Sequence, residues 1–189
     1  FITRESGQKR GYALVLGCGT GRLAVELAKR TELMISAVDC DPSRVDAARS
    51  LIDAEGLLGS RISVDVATPG QLPFSDYFAN LIVSERAVGG DGECIDAGEM
   101  ARVLKPCGGT ILLGGPSGSG GADVVRTLLP PDTFPGARVL GGGRWASFVR
   151  GALPGAGDWT HAYADAGNTA GCSDSALRAP LGLLWFGRP

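Results

Sequence analysis

Three glycines in five residues, Gly17-Cys18-Gly19-Thr20-Gly21, and an aspartate 22 positions after the first of them, Asp39, are the residues of this sequence whose spacing implies chemistry. Glycines this dense let backbone N–H groups approach a ligand and adopt φ values that a Cβ forbids. A helix opening directly behind them adds unpaired N–H groups aimed at the same place. An acid about 20 residues on, at the end of the next strand, accepts hydrogen bonds from the 2′- and 3′-hydroxyls of a ribose. The chemistry is recognition of a nucleoside. The dinucleotide fingerprint G-x-G-x-x-G is not met, because the third glycine comes one residue early and Arg22 stands at the diagnostic position.

The elements needed to position these residues are legible around them. Tyr12–Leu16 (YALVL) is a continuous apolar run, as in a parallel strand covered on both faces. Arg22–Arg30 carries Leu23 and Leu27, Ala24 and Ala28 at i, i+4 spacing, the pattern of a helix with one apolar stripe. Met34–Val38 is a second apolar strand ending at Asp39. Asp41 can cap a third element, a helix with Pro42 in its first turn that runs to about Glu55 and stops at Gly56. Arg61–Val66 alternates apolar and polar, which predicts an edge strand, whereas Leu81–Ser84 reads as a central one. A helix over Ile95–Leu104, a strand over Gly109–Gly114, a short helix over Ala122–Leu129 and a hairpin of Arg138–Leu140 with Trp145–Val149 complete the series. The alternation predicts an open, mostly parallel α/β sheet with helices on both faces.

Composition narrows the partners. The 189 residues are 44% hydrophobic and 20% charged, enough for a proper core, with a formal net charge of −2. That charge offers nothing to a polyphosphate backbone, so no nucleic acid is expected as a partner. No apolar run approaches the roughly 18–20 residues that span a bilayer, so no membrane segment is expected within the chain. Five cysteines without a CxxC or Cys/His cluster argue against zinc and suggest reduced thiols, hence a cytoplasmic setting. The chain begins at Phe1 rather than Met, which leaves an upstream signal or anchor open. Glycine and proline are concentrated late: residues 106–189 hold 18 of the 30 Gly and 8 of the 11 Pro. The sheet is expected to fill residues 1–150, with a linker at 151–158 and a tail at 159–189.

Five stretches in order resemble the class I S-adenosylmethionine-dependent methyltransferases: Leu14–Gly21, Ala37–Asp41, Leu72-Pro73-Phe74, Leu81–Ser84 and Arg102–Gly109. The resemblance covers about Tyr12 to Arg150. It implies a Rossmann-like, doubly wound, seven-stranded sheet with an antiparallel last strand, and S-adenosyl-L-methionine as the cofactor. By the same resemblance Gly17, Cys18 and Gly19 pass under the methionine part and Gly21 completes the loop. Asp39 holds the ribose, Cys40 flanks the adenine, Ala67 and Thr68 close the adenine pocket, and Ser84 lines the methyl-donor side. Four positions depart from the pattern: Val15, Thr68 and Asn80 replace acids, and Cys107 replaces a glycine. Loss of a charged adenine acceptor at Thr68 costs on the order of 1.5–3 kcal/mol, so weakened binding is expected.

Methyl transfer is an in-line displacement whose rate owes much to proximity, and a base is required only when the acceptor must lose a proton. Glu85 and Arg86, after the fourth strand, are the catalytic candidates; the single histidine, His161, lies outside the resembling region. Glu99 and Arg102 read as a helix-surface pair. The acceptor class that fits is a small molecule, since no Asn-Pro-Pro-Tyr signature is present. Two rivals remain open: a catalytically inactive module that binds the same cofactor within a larger protein, and a nicotinamide-dependent oxidoreductase. The tail, with Asp158-Trp159-Thr160-His161 and Gly182–Gly187, weakly resembles the start of a pyrroloquinoline-quinone-type β-propeller repeat, which implies a propeller domain beyond residue 189; the alternative is an irregular C-terminal extension packed on the core.

Overall fold

The computed structural model describes residues 1–68, 70–84, 96–114 and 127–176. In chain order the elements are α1 (Ile2–Ser6), β1 (Tyr12–Leu16), α2 (Arg22–Arg30), β2 (Met34–Asp39), α3 (Pro42–Ala54), β3 (Ile62–Val66), β4 (Leu81–Ser84), α4 (Ala97–Val103), β5 (Thr110–Gly114), β6 (Arg138–Leu140) and β7 (Trp145–Val149). The seven strands form one sheet in the order β3-β2-β1-β4-β5-β7-β6. The first five are mutually parallel, while β7 runs antiparallel to both β5 and β6. Strand order reverses between β1 and β4, and a doubly wound sheet opens its ligand crevice at the carboxyl ends of strands flanking such a point.

The side-chain period of two divides the core. On one face Ala13, Val15, Ile35, Ala37 and Val83 meet Ala24, Val25, Leu27 and Ala28 of α2 and Val45, Ala48 and Ile52 of α3. On the other Leu14, Leu16, Val38, Ile82, Ile111 and Leu113 meet Met100, Val103 and Leu104. Both faces of the central strands are covered, which is why their sequences are continuously apolar. The edge strand β3 buries Ile62 and Val64 but leaves Val66 51% exposed, since the helix cover ends before it.

The caps explain the boundaries. Asp41 accepts the Ser43 N–H (2.8 Å) and opens α3 with Pro42 in the first turn. Asp96 accepts the Glu99 N–H (2.8 Å), so α4 starts at Ala97. Helix α1 has five residues and closes on Gly7 in the left-handed region; it is too short for any periodic signal and was not legible in the sequence. The expected helix at Ala122–Leu129 lies largely outside the described residues.

The chain divides into two compact units, Phe1–Gly151 and Ala152–Pro189. Among the described residues of the second, 152–176, turns and bends prevail and the regular pairing is a bridge between His161 and Ala164. No strand of a propeller blade lies there, and the Gly182–Gly187 part of that expectation lies outside the described residues. Among the described residues no helix is long and apolar enough to cross a membrane.

Candidate functional site

The glycine loop connects the end of β1 to the start of α2, and the end of β2 holds it. Gly17 and Cys18 both donate their N–H groups to the Val38 carbonyl (2.9 and 3.0 Å), and the Gly21 N–H returns to the Cys18 carbonyl (2.8 Å). Two of the glycines are required by geometry. Gly21 has φ 82°, and a Cβ there would lie 3.1 Å from Ile52 Cδ1 and 3.2 Å from Ala48 Cα, so it sets how closely α2 approaches α3. Gly17 has φ 72°, and its nearest neighbour for a Cβ is Ser84 Oγ at 3.9 Å. A side chain at Gly17 would therefore enter the space above β4.

Asp39 is fully buried beneath this loop. Its Oδ2 accepts the Gly19 N–H (3.3 Å) and its Oδ1 the Asp41 N–H (3.1 Å), while Arg44 Nη1 stands 3.7 Å from Oδ1. One carboxylate thus joins the glycine loop, the end of β2 and the start of α3. The Asp39 carbonyl accepts the Ala67 N–H (3.0 Å), and Thr68 pairs with Gln71 in a short turn. Cys18 is a buried free thiol whose pKa is pushed up to about 12, first by burial and then by the Asp39 carboxylate beside it. It is a neutral filler of the loop, with no thiolate to act as a nucleophile.

A cleft of about 490 Å³ opens over the loop, lined by Gly17, Cys18, Gly19, Thr20, Arg22, Leu23 and Glu26. Of the loop residues named from sequence, Gly17, Cys18 and Gly19 face this cavity and Gly21 does not line it. Asp39, Ala67 and Ser84 are buried and do not line this cleft, and Thr68 is exposed at the segment that follows β3. Arg22, Leu23, Glu26 and Arg44 were not singled out from the sequence. The signal that could have found the first three is their place in the opening turns of the helix behind the glycines. The candidates Glu85 and Arg86 lie outside the described residues.

One expectation fails here. Cys18, Cys107 and Cys172 are free thiols, but Cys40 is disulfide-bonded, so the cysteines are not uniformly reduced. Spacing along the chain carries no information on which sulfurs a fold brings together, and Cys40 sits in the loop after β2, where long-range closure is possible. The Glu99–Arg102 pair is also more than a surface contact. Arg102 binds Glu99 through both edges of its fork (2.7 and 2.8 Å) and reaches the Leu72 and Phe74 carbonyls (3.1 and 2.7 Å) and Asp76 (2.9 Å). Glu99 in turn accepts the Leu72 N–H (2.7 Å), and Arg102 holds its pKa down at about 2.

Residues 13–108 match the family model described as a methyltransferase domain. Among curated proteins, methyltransferase GfsG of Streptomyces halstedii is 32% identical over 96 residues, covering 50% of this chain and 34% of that protein. O-methyltransferase resE of Aspergillus sclerotiorum is 30% identical over 111 residues, covering 56% and 42%. The chain thus spans less than half the length of either relative. Among solved structures, a protein from Methanococcus maripaludis assigned as an S-adenosyl-L-methionine-dependent methyltransferase superposes with a TM-score of 0.62 at 22% identity, covering 80% of this chain and 83% of that one. At that identity the likeness is one of fold.

Proposed function

Since the chain belongs to the methyltransferase-domain family, we propose that it binds S-adenosyl-L-methionine over the Gly17–Gly21 loop and delivers the methyl group to a small-molecule acceptor. The observation that carries this reading is the junction at Asp39, where a single buried carboxylate ties the end of β2 to the glycine loop, which follows β1, the strand beside the reversal of order. The residues present fit that cofactor. Among the described residues the atom within 4 Å of a Cβ placed at Gly17 is Ser84 Oγ, at 3.9 Å, an ordinary contact distance that leaves the backbone open to a ligand. The cleft has room for an amino-acid end beside Arg22 and Thr20.

When bound, the cofactor supplies an electrophilic methyl group on a sulfonium, open to in-line attack by an acceptor lone pair. The chain's own part is placement. The Gly17–Gly19 backbone supports the methionine portion without a side chain in the way. Asp39, whose Oδ2 here takes a long 3.3 Å bond from the Gly19 N–H, would accept from the ribose hydroxyls. Ala67 and Thr68 border the adenine, and Cys40, as a disulfide sulfur, offers an apolar edge beside it. Ser84, buried at the carboxyl end of β4, lines the donor side. Glu85 and Arg86 remain the candidates for handling the acceptor's proton. The acceptor class is supported by the relatives, of which one is an O-methyltransferase.

A second reading, a cofactor-binding module without turnover, draws on one observation: Thr68, where the family pattern has an acid, is an exposed residue that pairs with Gln71 in a turn. Calorimetry with S-adenosylmethionine and S-adenosylhomocysteine, followed by a methyl-release assay on a panel of small acceptors, separates the two. Binding with turnover supports the enzyme, and binding without turnover on any acceptor supports the module. Binding of NAD(H) in place of S-adenosylmethionine would overturn both in favour of an oxidoreductase. Asp39→Ala is expected to weaken cofactor binding about tenfold or more, as loss of a charged hydrogen-bonding group does; unchanged affinity would refute the site.

A further inference from the structure

We propose that Glu99 and Arg102 are positioning residues that hold the Ala67–Phe74 segment in place as the adenine wall of the cofactor site, an inference that rests on the site reading above. After β3 the chain leaves the sheet, so no strand ladder fixes the backbone that must border the adenine. Two anchors replace it. The first is the Asp39 carbonyl, which accepts the Ala67 N–H (3.0 Å) immediately beside the ribose acid. The second is α4. Both polar groups of Leu72 are taken by it, the N–H by Glu99 (2.7 Å) and the carbonyl by Arg102 (3.1 Å). The same guanidinium continues along the chain to the Phe74 carbonyl (2.7 Å) and Asp76 (2.9 Å).

Between the anchors stand Ala67 and Thr68, the residues assigned to the adenine. The Thr68–Gln71 turn, closed by Gln71 N–H to Thr68 O at 3.1 Å, transmits any movement of Leu72 to them. Leu72 is itself buried against the face of the sheet formed by Leu14, Leu16 and Val38. The pair is shielded as a surface pair is not: the Glu99 side chain is 15% exposed and that of Arg102 31%. A planar guanidinium with five donors is the group that can serve a carboxylate fork, two carbonyls and a second acid at once. Glu99 completes the arrangement by joining Arg102 of its own helix to the Leu72 N–H of the neighbouring segment. Asp96 caps α4 by accepting the Glu99 N–H, while the Glu99 carboxylate reaches Leu72 instead of folding back on the cap.

Arg102→Lys tests this. Lysine keeps the charge and a contact to Glu99 but cannot form the fork or reach all the acceptors together. In the full chain the Kd for S-adenosylhomocysteine is expected to rise about tenfold. It should rise by the same factor for 5′-methylthioadenosine, which keeps the adenosine and lacks the amino-acid end. Hydrogen exchange at the Leu72 to Asp76 amides should accelerate while the β1, β2 and β4 amides stay protected. A role confined to stability would lower the melting midpoint and leave the Kd of the folded protein unchanged, and that result overturns the proposal. Should Arg102→Lys fail to fold, Glu99→Gln decides, because glutamine can still accept from Leu72 but loses the ionic fork. A rise of about threefold supports the wall role, and wild-type affinity overturns it. Asp39→Ala is measured alongside. If it binds as wild type, the site itself is refuted; if it weakens binding while both latch variants bind normally, only the latch is refuted.

Discussion

Cys107 stands at φ 57°, in the left-handed region, exposed, at the position where the family pattern has glycine. Its N–H is committed to the Gly151 carbonyl (2.9 Å), so the turn cannot relax to a conformation that suits a side chain. A non-glycine residue in this region costs about 1–2 kcal/mol, part of which glycine gives back through its more flexible unfolded chain. Cys107→Gly is therefore expected to stabilise the protein by about 0.5–1 kcal/mol, measured as a higher denaturant midpoint at constant m-value. The other departures have their own explanations at this scale. Asn80 accepts the Tyr12 N–H (3.0 Å) through its amide oxygen, a task in which a carboxylate and an amide are interchangeable. Val15 is a buried core residue facing α2 and α3, so the acid usual at that position has been traded for packing. The turn with Gln71 gives Thr68 no such compensation. The sequence showed each departure and could not show which were absorbed, because absorption depends on neighbours far along the chain.

At the scale of elements, the connection of β1, glycine loop and α2 to β2 carries the site, and Gly21 is its tightest point. A methyl group there meets Ala48 Cα and Ile52 Cδ1 at 3.2 and 3.1 Å and must also occupy φ 82°. Both effects act in the same direction, and Ala48 Cα cannot give way without shifting α3, although Ile52 Cδ1 can yield by turning its side chain. Gly21→Ala is expected to cost about 2–4 kcal/mol from overpacking and backbone strain together, read from urea unfolding, and to weaken cofactor binding because α2 is displaced from the loop. The strands and the helices α2 and α3 were legible from apolar runs, i, i+4 stripes and the Asp41-Pro42 start. Helix α4 was legible in outline, but its role was not. An i, i+3 pair of opposite charge on a helix has the same sequence signature on a solvated surface as when it clamps a loop 27 residues away.

For the molecule as a whole, the sheet is complete by β7, and the last ties within it are the Cys107 and Gly108 N–H groups on the Gly151 and Arg150 carbonyls. Both cores are likewise filled from residues before Gly151. A chain of residues 1–151 is expected to unfold in a single cooperative transition and to bind S-adenosylhomocysteine within about twofold of the full-length value, measured by circular dichroism and calorimetry. Loss of binding in a folded fragment would show that the later residues belong to the site. The sequence by itself determined the sheet, its parallel sense and the glycine loop with its aspartate, because these depend on local periodicity and on residues spaced by one βαβ unit. Only the tertiary structure decided that Asp39 is buried as a junction of three elements, that Cys40 is disulfide-bonded, and that Glu99 and Arg102 clamp Leu72. Those are contacts between segments distant along the chain, and they are fixed by how the layers pack, which no local pattern encodes.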